Sequence, residues 1–163
     1  MKTLLFRSLL TLIIFSCMDS PDQKYSPIVS LQIHDLIKDS LLNIRALEIE
    51  DNRIRAVSAI GDSYSVDLRT NKVYVNRVNV DTINFRASAI VNNNYFTLSI
   101  GNPAYLFRDT ELVYKETHPN IFYDALHFWN SMEGVAIGDP VDGCMSILIT
   151  RNGGTSWNKV SCE

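Results

Sequence analysis

Ala136-Ile137-Gly138-Asp139-Pro140 ends a short apolar stretch, and nearly the same word stands twice earlier, as Ala59-Ile60-Gly61-Asp62 and as Ser99-Ile100-Gly101-Asn102-Pro103. The three glycines lie 40 and then 37 residues apart. A period of about 40 residues, with every unit built from strand-like runs and turn residues, predicts a β-propeller of four-stranded antiparallel blades. A β-sandwich also uses many short alternating strands, but it does not call for a corner repeated three times at a fixed interval.

Working outward from the corners, four strands fit into each unit. In the first, about 43–80, alternating runs at 45–49, 53–60, 63–68 and 72–80 flank the turn residues Asp51-Asn52 and Arg69-Thr70-Asn71. The second, about 84–117, reads as strands at 85–91, 95–100, 104–107 and 112–116 around the turn Asn92-Asn93-Asn94. In the third, about 124–160, the strands are 124–130, 134–137, 145–150 and 157–160, with 138–143 as the corner. Small residues recur in the first two strands of every unit: Ala46, Ala56 and Ala59, then Ala87, Ala89 and Ser99, then Ala125 and Ala136. Strands converging on a central axis leave little volume there. Phe128 and Trp129 are expected further out, packed between blades.

The beginning of the chain has a different character. Residues 2–16 carry two cations followed by an apolar run of the length of a secretory signal core, too short to span a bilayer comfortably. They lead into Ile14-Phe15-Ser16-Cys17 and then the polar Met18-Asp19-Ser20-Pro21-Asp22. This resembles the bacterial lipoprotein signal, which implies a signal over 1–17, a diacylglycerol on Cys17 and a cell-envelope location facing periplasm or exterior. Phe15 departs from the small residue usual at its position, and an ordinary secretory signal with a chance cysteine is the alternative. Residues 18–40 read as a polar tether followed by an alternating run at 28–33, which could serve as a ring-closing strand.

Without Lys2 and Arg7, 13 basic and 18 acidic side chains remain, a net charge near −5. No basic stripe is present that would bind nucleic acid. Cys144 and Cys162, 18 residues apart, can pair in an oxidising compartment or remain two half-buried thiols; spacing alone does not decide.

Near the end, Thr150-Arg151-Asn152-Gly153-Gly154-Thr155-Ser156-Trp157 resembles the Asp-box of BNR repeats, with Asn152 in place of the usual aspartate. Thr150, Asn152, Gly154, Ser156 and Trp157 are the matching positions, and the resemblance implies a turn staple, with side chains capping backbone amides and the indole under the hairpin. Residues 122–129, 134–143 and 98–104 are similar to a group of bacterial BNR-type propellers related to the photosystem II assembly and stability factor. That resemblance covers about 41–160. The first two units lack the Gly and Trp of the box, and the group has six or seven blades where three are read here. The chain is therefore expected to be a fragment, or else to have its ring completed by another chain.

The resemblance implies a lipid-anchored, non-catalytic interaction module with an unidentified protein partner; a sialidase-like glycosidase is the alternative. The latter needs converging arginines and a tyrosine nucleophile with an acid partner, and Tyr64, Tyr95 and Tyr123 stand in no distinguishing context. Neither Gly-x-Gly-x-x-Gly nor Cys-x-x-Cys occurs, and His34, His118 and His127 lack ligand spacing, so no cofactor or metal is expected. Asp139 and Asp142 form the one loop singled out for binding: they could take calcium together with backbone carbonyls, or cap the corner's own amides.

Overall fold

The computed structural model describes residues 43–78 and 83–162. Cys17, the lipoprotein signal, the tether and the strand expected at 28–33 lie outside the described residues. Within them, twelve strands form three four-stranded antiparallel sheets, each a simple meander. Blade 1 consists of β1 (Ile44–Glu50), β2 (Arg53–Ser58), β3 (Asp62–Asp67) and β4 (Lys72–Arg77). Blade 2 holds β5 (Asn84–Val91), β6 (Asn94–Ile100), β7 (Ala104–Arg108) and β8 (Glu111–Glu116), and blade 3 holds β9 (Tyr123–Phe128), β10 (Gly134–Val141), β11 (Cys144–Thr150) and β12 (Asn158–Lys159).

The first strands are innermost, since β5 packs against both β1 and β9. Polar pairs tie neighbouring inner strands: Arg86 Nε to Asp124 at 2.9 Å between β5 and β9, and Ser88 Oγ to Glu48 at 3.4 Å between β5 and β1. Blade 2 is covered on both faces, and so β6 is buried without a break from Tyr95 to Ser99, Thr97 and Ser99 included. One face, with Phe85, Tyr95 and Phe107, packs on Val57 of blade 1. The other, with Phe96, Leu98 and Leu106, packs on Tyr123, Leu126, Leu148 and Trp157 of blade 3.

All three corners connect the second strand of a blade to the third, but they are built differently. Gly61 and Gly101 have φ of 83° and 120°, which the turn requires. Gly138 lies inside β10, which continues as far as Val141 through a bulge at Asp139. The corner expected over 138–143 is therefore mostly strand, and its turn is Asp142-Gly143, with φ of 53° and 80°, the two positive values of a type I′ hairpin. At Gly138 the constraint is steric: a Cβ would sit 1.6 Å from the Phe122 carbonyl oxygen, which accepts from Asp139 N at 3.1 Å.

Phe128 packs between blades as expected, its ring 4.9 Å from that of Phe96 and 5.6 Å from that of Trp157. Trp129 does not. It directly follows β9 and turns out into solvent, 54% exposed.

Candidate functional site

Antiparallel meanders side by side present two ends. One, the hairpin end, gathers the first-to-second hairpins and the third-to-fourth turns; the other, the linker end, gathers the corners and the chain between blades. The residues singled out from sequence divide between them.

On the hairpin end of blade 3 the structure brings Thr150, Asn152, Gly154, Ser156 and Trp157 into one turn. Thr150 Oγ accepts from Gly154 N at 2.9 Å and donates to Asn152 Oδ1 at 3.0 Å. The same Oδ1 accepts from Ser156 N at 3.0 Å, while Asn152 Nδ2 donates to Ser156 Oγ at 2.8 Å. Trp157 turns back under the loop and donates its indole N–H to the Gly154 carbonyl at 3.2 Å. Gly154 has φ of 79°, and a Cβ there would lie 2.4 Å from the Phe96 ring, so both the turn and the packing require glycine.

Next to this turn is the β9–β10 loop, residues 129–133, whose first two positions the sequence reading placed at the end of the strand 124–130. Asn130 Oδ1 accepts from the amides of Met132 and Glu133, both at 2.8 Å. Asn130 Nδ2 and Trp129 Nε1 donate to Glu133 Oε2 at 2.9 and 3.2 Å. These two donors, Asn130 first, hold the Glu133 carboxyl below its ordinary value. The loop is also tied to its neighbours: Asn92 Nδ2 of blade 2 donates to the Ser131 carbonyl at 2.9 Å, and Gly153 N to the Met132 carbonyl at 2.8 Å. Large apolar surface is left in water beside this network: the Trp129 ring, bonded only through its N–H, and the side chain of Met132, the latter 51% exposed. The signal that could have found it is large apolar residues in an Asn-Ser turn, where polar ones are the rule.

The linker end holds Asp139 and Asp142. Both are exposed, Asp139 in the bulge and Asp142 in the hairpin turn, and neither carboxylate accepts a hydrogen bond from a described residue. The expectation that they cap the corner's amides does not hold: the Asp139 contribution is its backbone N–H, donated to Phe122. Among the described residues no cluster of three or more His, Cys, Asp or Glu side chains is placed to hold a metal ion. Asp142 lines a cleft of about 410 Å³ with His118, Met145, Lys159, Cys144 and Cys162. The two cysteines are bonded, with Cα atoms 5.8 Å apart, which resolves the alternative left open by their spacing.

Sequence also gave no sign of the carboxylate that joins blades 2 and 3. Glu116, at the end of β8, accepts from the hydroxyls of Tyr114 and Tyr123 at 3.1 Å each and from His118 N at 2.9 Å, with Lys159 Nζ at 3.5 Å. Burial alone would raise its pKa; the His118 amide, Lys159 and the two hydroxyls outweigh that and hold it below the ordinary value. Tyr123 is fully buried, and burial together with Tyr114 and Glu116 pushes its hydroxyl far up. This tyrosine and acid resemble a nucleophile pair in residue type only. A nucleophile needs access and a lowered pKa, and Tyr123 has neither. Tyr95, also buried, is pushed up to about 12, chiefly by burial, and Tyr64 donates to Asp62, which Arg77 clamps through two contacts of 2.6 and 3.0 Å.

No protein-family model and no curated protein matches the chain. Solved structures do. The WD40 repeats of RRP9 superpose with a TM-score of 0.55 at 11% identity over 74% of this chain and 38% of that one. U3-55K gives 0.56, again at 11% identity, over 77% of this chain and 41% of its own. At that identity the likeness concerns the fold alone. The described residues form three blades of a β-propeller, and the chain spans about two fifths of the length of these two propellers.

Proposed function

We propose that this chain is a non-catalytic protein-interaction module whose working surface is the hairpin end of its blades. The observation that carries the reading is the loop of residues 129–133, where hydrogen bonds from three segments fix the backbone and leave two large apolar side chains in water. The WD40 propellers it superposes on support the reading as analogues of fold.

The finer reading follows the sequence. The turn at 150–157 has the geometry an Asp-box turn needs, which supports kinship with BNR propellers of the assembly-factor type. The Cys17 context supports a lipid anchor at the cell envelope, facing periplasm or exterior. A fatty-acid label that enters the expressed chain, and fails to enter Cys17→Ser, is the expected result for the anchor.

The glycosidase alternative is countered by the burial of Tyr123 and by the pairing of Glu116 with a lysine rather than an arginine cluster. The deciding experiment assays sialyl and aryl glycosides with the full chain. No turnover is expected; turnover abolished by Tyr123→Phe overturns the proposal.

A further inference from the structure

The packing between blades 1 and 2 changes character across the sheets. Part of it is apolar, with Val57 against Phe85, Tyr95 and Phe107. Val57 pairs with Ser63 and Ser63 with Asn76, while Arg55 pairs with Ser65, so the ladder puts Arg55, Ser63, Ser65 and Asn76 on that same face of blade 1. Thr97, which pairs with Phe107, answers them from β6 of blade 2. Between these residues the blades enclose a cleft of about 290 Å³. The next seam is filled at the corresponding place: β7 turns the buried Ala104 and Leu106 towards blade 3, where β3 turns Ser63 and Ser65 towards blade 2.

The polar groups that line the cleft are not used by the protein itself. Ser63, Ser65, Asn76 and Thr110 make no side-chain hydrogen bond among the described residues, and neither does Thr97, although it is only 3% exposed. Arg55 Nε is buried without an acceptor, and Arg55 Nη1 stays 3.7 Å from Asp109 Oδ1, which already accepts from Tyr95 N at 3.1 Å. The charges around the cleft balance, since Arg55 faces Asp109 and Arg77 is clamped by Asp62. Phe85, Val78 and the rings of Tyr64 and Tyr95 supply the apolar part of the lining.

One donor-only group, one acceptor-only group, an amide and several hydroxyls ask for a ligand whose own groups both donate and accept, without net charge. Adjacent hydroxyls on a small ring have that character, and the C–H faces of such a ring suit Phe85 and Tyr95. The volume lies at the small end of ligand pockets, which suits one ring. The geometry points to a binding site for a neutral polyhydroxylated ring of monosaccharide size, held between blades 1 and 2 by Arg55, Asp109, Ser63, Ser65, Asn76 and Thr97. Asp109 is the one carboxylate in the lining, so the ring is held and not hydrolysed, a reaction that takes two. The inference stands apart from the interaction-module reading and does not rest on it.

The test titrates the isotope-labelled full chain with D-glucose, D-galactose, D-mannose, N-acetyl-D-glucosamine, L-arabinose and myo-inositol, and with glycine and acetate as a zwitterion and an anion. Expected is saturable binding of at least one of the sugars or the cyclitol, which shifts the amide signals of Ser65, Asn76 and Thr97 and leaves those of Ala136 and Leu148 in place. Ser65→Ala and Asn76→Ala should each weaken it by about threefold to tenfold. Ser65→Leu, which fills the cleft as Leu106 fills the next seam, should abolish it without lowering the melting temperature. Absence of binding by every sugar and by the cyclitol overturns the site. Binding that all three substitutions leave unchanged belongs elsewhere on the chain and overturns it as well. Saturation by glycine or acetate, with no sugar or cyclitol able to bind, overturns the choice of ligand.

Discussion

At the scale of single residues, the same letter in a repeat can be needed for different physical reasons. Gly61 and Gly101 supply a left-handed turn, whereas Gly138 supplies room for the Phe122 carbonyl. Gly138→Ala is therefore expected to cost roughly 3 kcal/mol or more, because backbone rather than a flexible side chain must move. Gly143→Asn, at a φ of 80° with nothing within 4 Å of the added Cβ, should cost less, about 1 kcal/mol from backbone strain alone, when the two variants are compared by urea titration. Asn152 makes a similar distinction. Its Oδ1 accepts two hydrogen bonds while its amide donates to Ser156. Asn152→Asp keeps the acceptor and lets the Ser156 hydroxyl rotate to donate, so it should be tolerated, while Asn152→Ala should cost about 1–2 kcal/mol by thermal melting. The low pKa values predict a direction as well. The carboxyls of Asp62, held chiefly by Arg77, and of Glu116 are lower in the folded chain than their ordinary values of 3.8 and 4.5. Their contribution is fully present above those values and is lost as pH falls through the lowered ones. Melting temperature should drop on acidification through this window, and less steeply in Asp62→Asn with Glu116→Gln.

Among the elements, β12 is the least self-sufficient: two residues, with two ladder pairs to β11. It is held at its ends, by the buried indole of Trp157 before it and by the Cys144–Cys162 disulfide after it. The disulfide closes a span of 18 residues around the stapled turn. Cys144→Ser with Cys162→Ser should destabilise the chain by about 3 kcal/mol. Hydrogen exchange should quicken first at Lys159 and Val160, while Phe96 and Leu98 in β6 stay protected. Strand positions were legible because period-two alternation and the turn residues agree across most of the three blades. The course of β10 was not: Gly138-Asp139-Pro140 has the composition of a turn, and pairing with Met145 and Ser146 of β11 keeps it in the sheet.

On the scale of the whole molecule, blade 3 shows Val135, Ile137, Ile147 and Ile149 on the face opposite its packing with blade 2, and Ile137 is 38% exposed. No described strand covers this apolar face. Ile137→Lys with Ile149→Lys should lower dye binding and concentration-dependent association by light scattering, and leave the melting temperature within a few degrees of the unsubstituted chain.

The spacing of three corners, the turn residues and the alternation of apolar positions were sufficient for the architecture, because a repeated sheet imposes its period on every residue that lines it. The residues of the stapled turn could also be read, since they lie within eight consecutive positions. The environment of side chains that meet across blades needed the tertiary structure. Asn92 meets Ser131, Glu116 meets Tyr123 and Lys159, and Cys144 meets Cys162. Trp129, adjacent to a phenylalanine that is packed between blades, points into water because β9 ends at Phe128 and the chain turns there. Packing and exposure of that kind depend on which strands become neighbours, and local sequence does not carry that information.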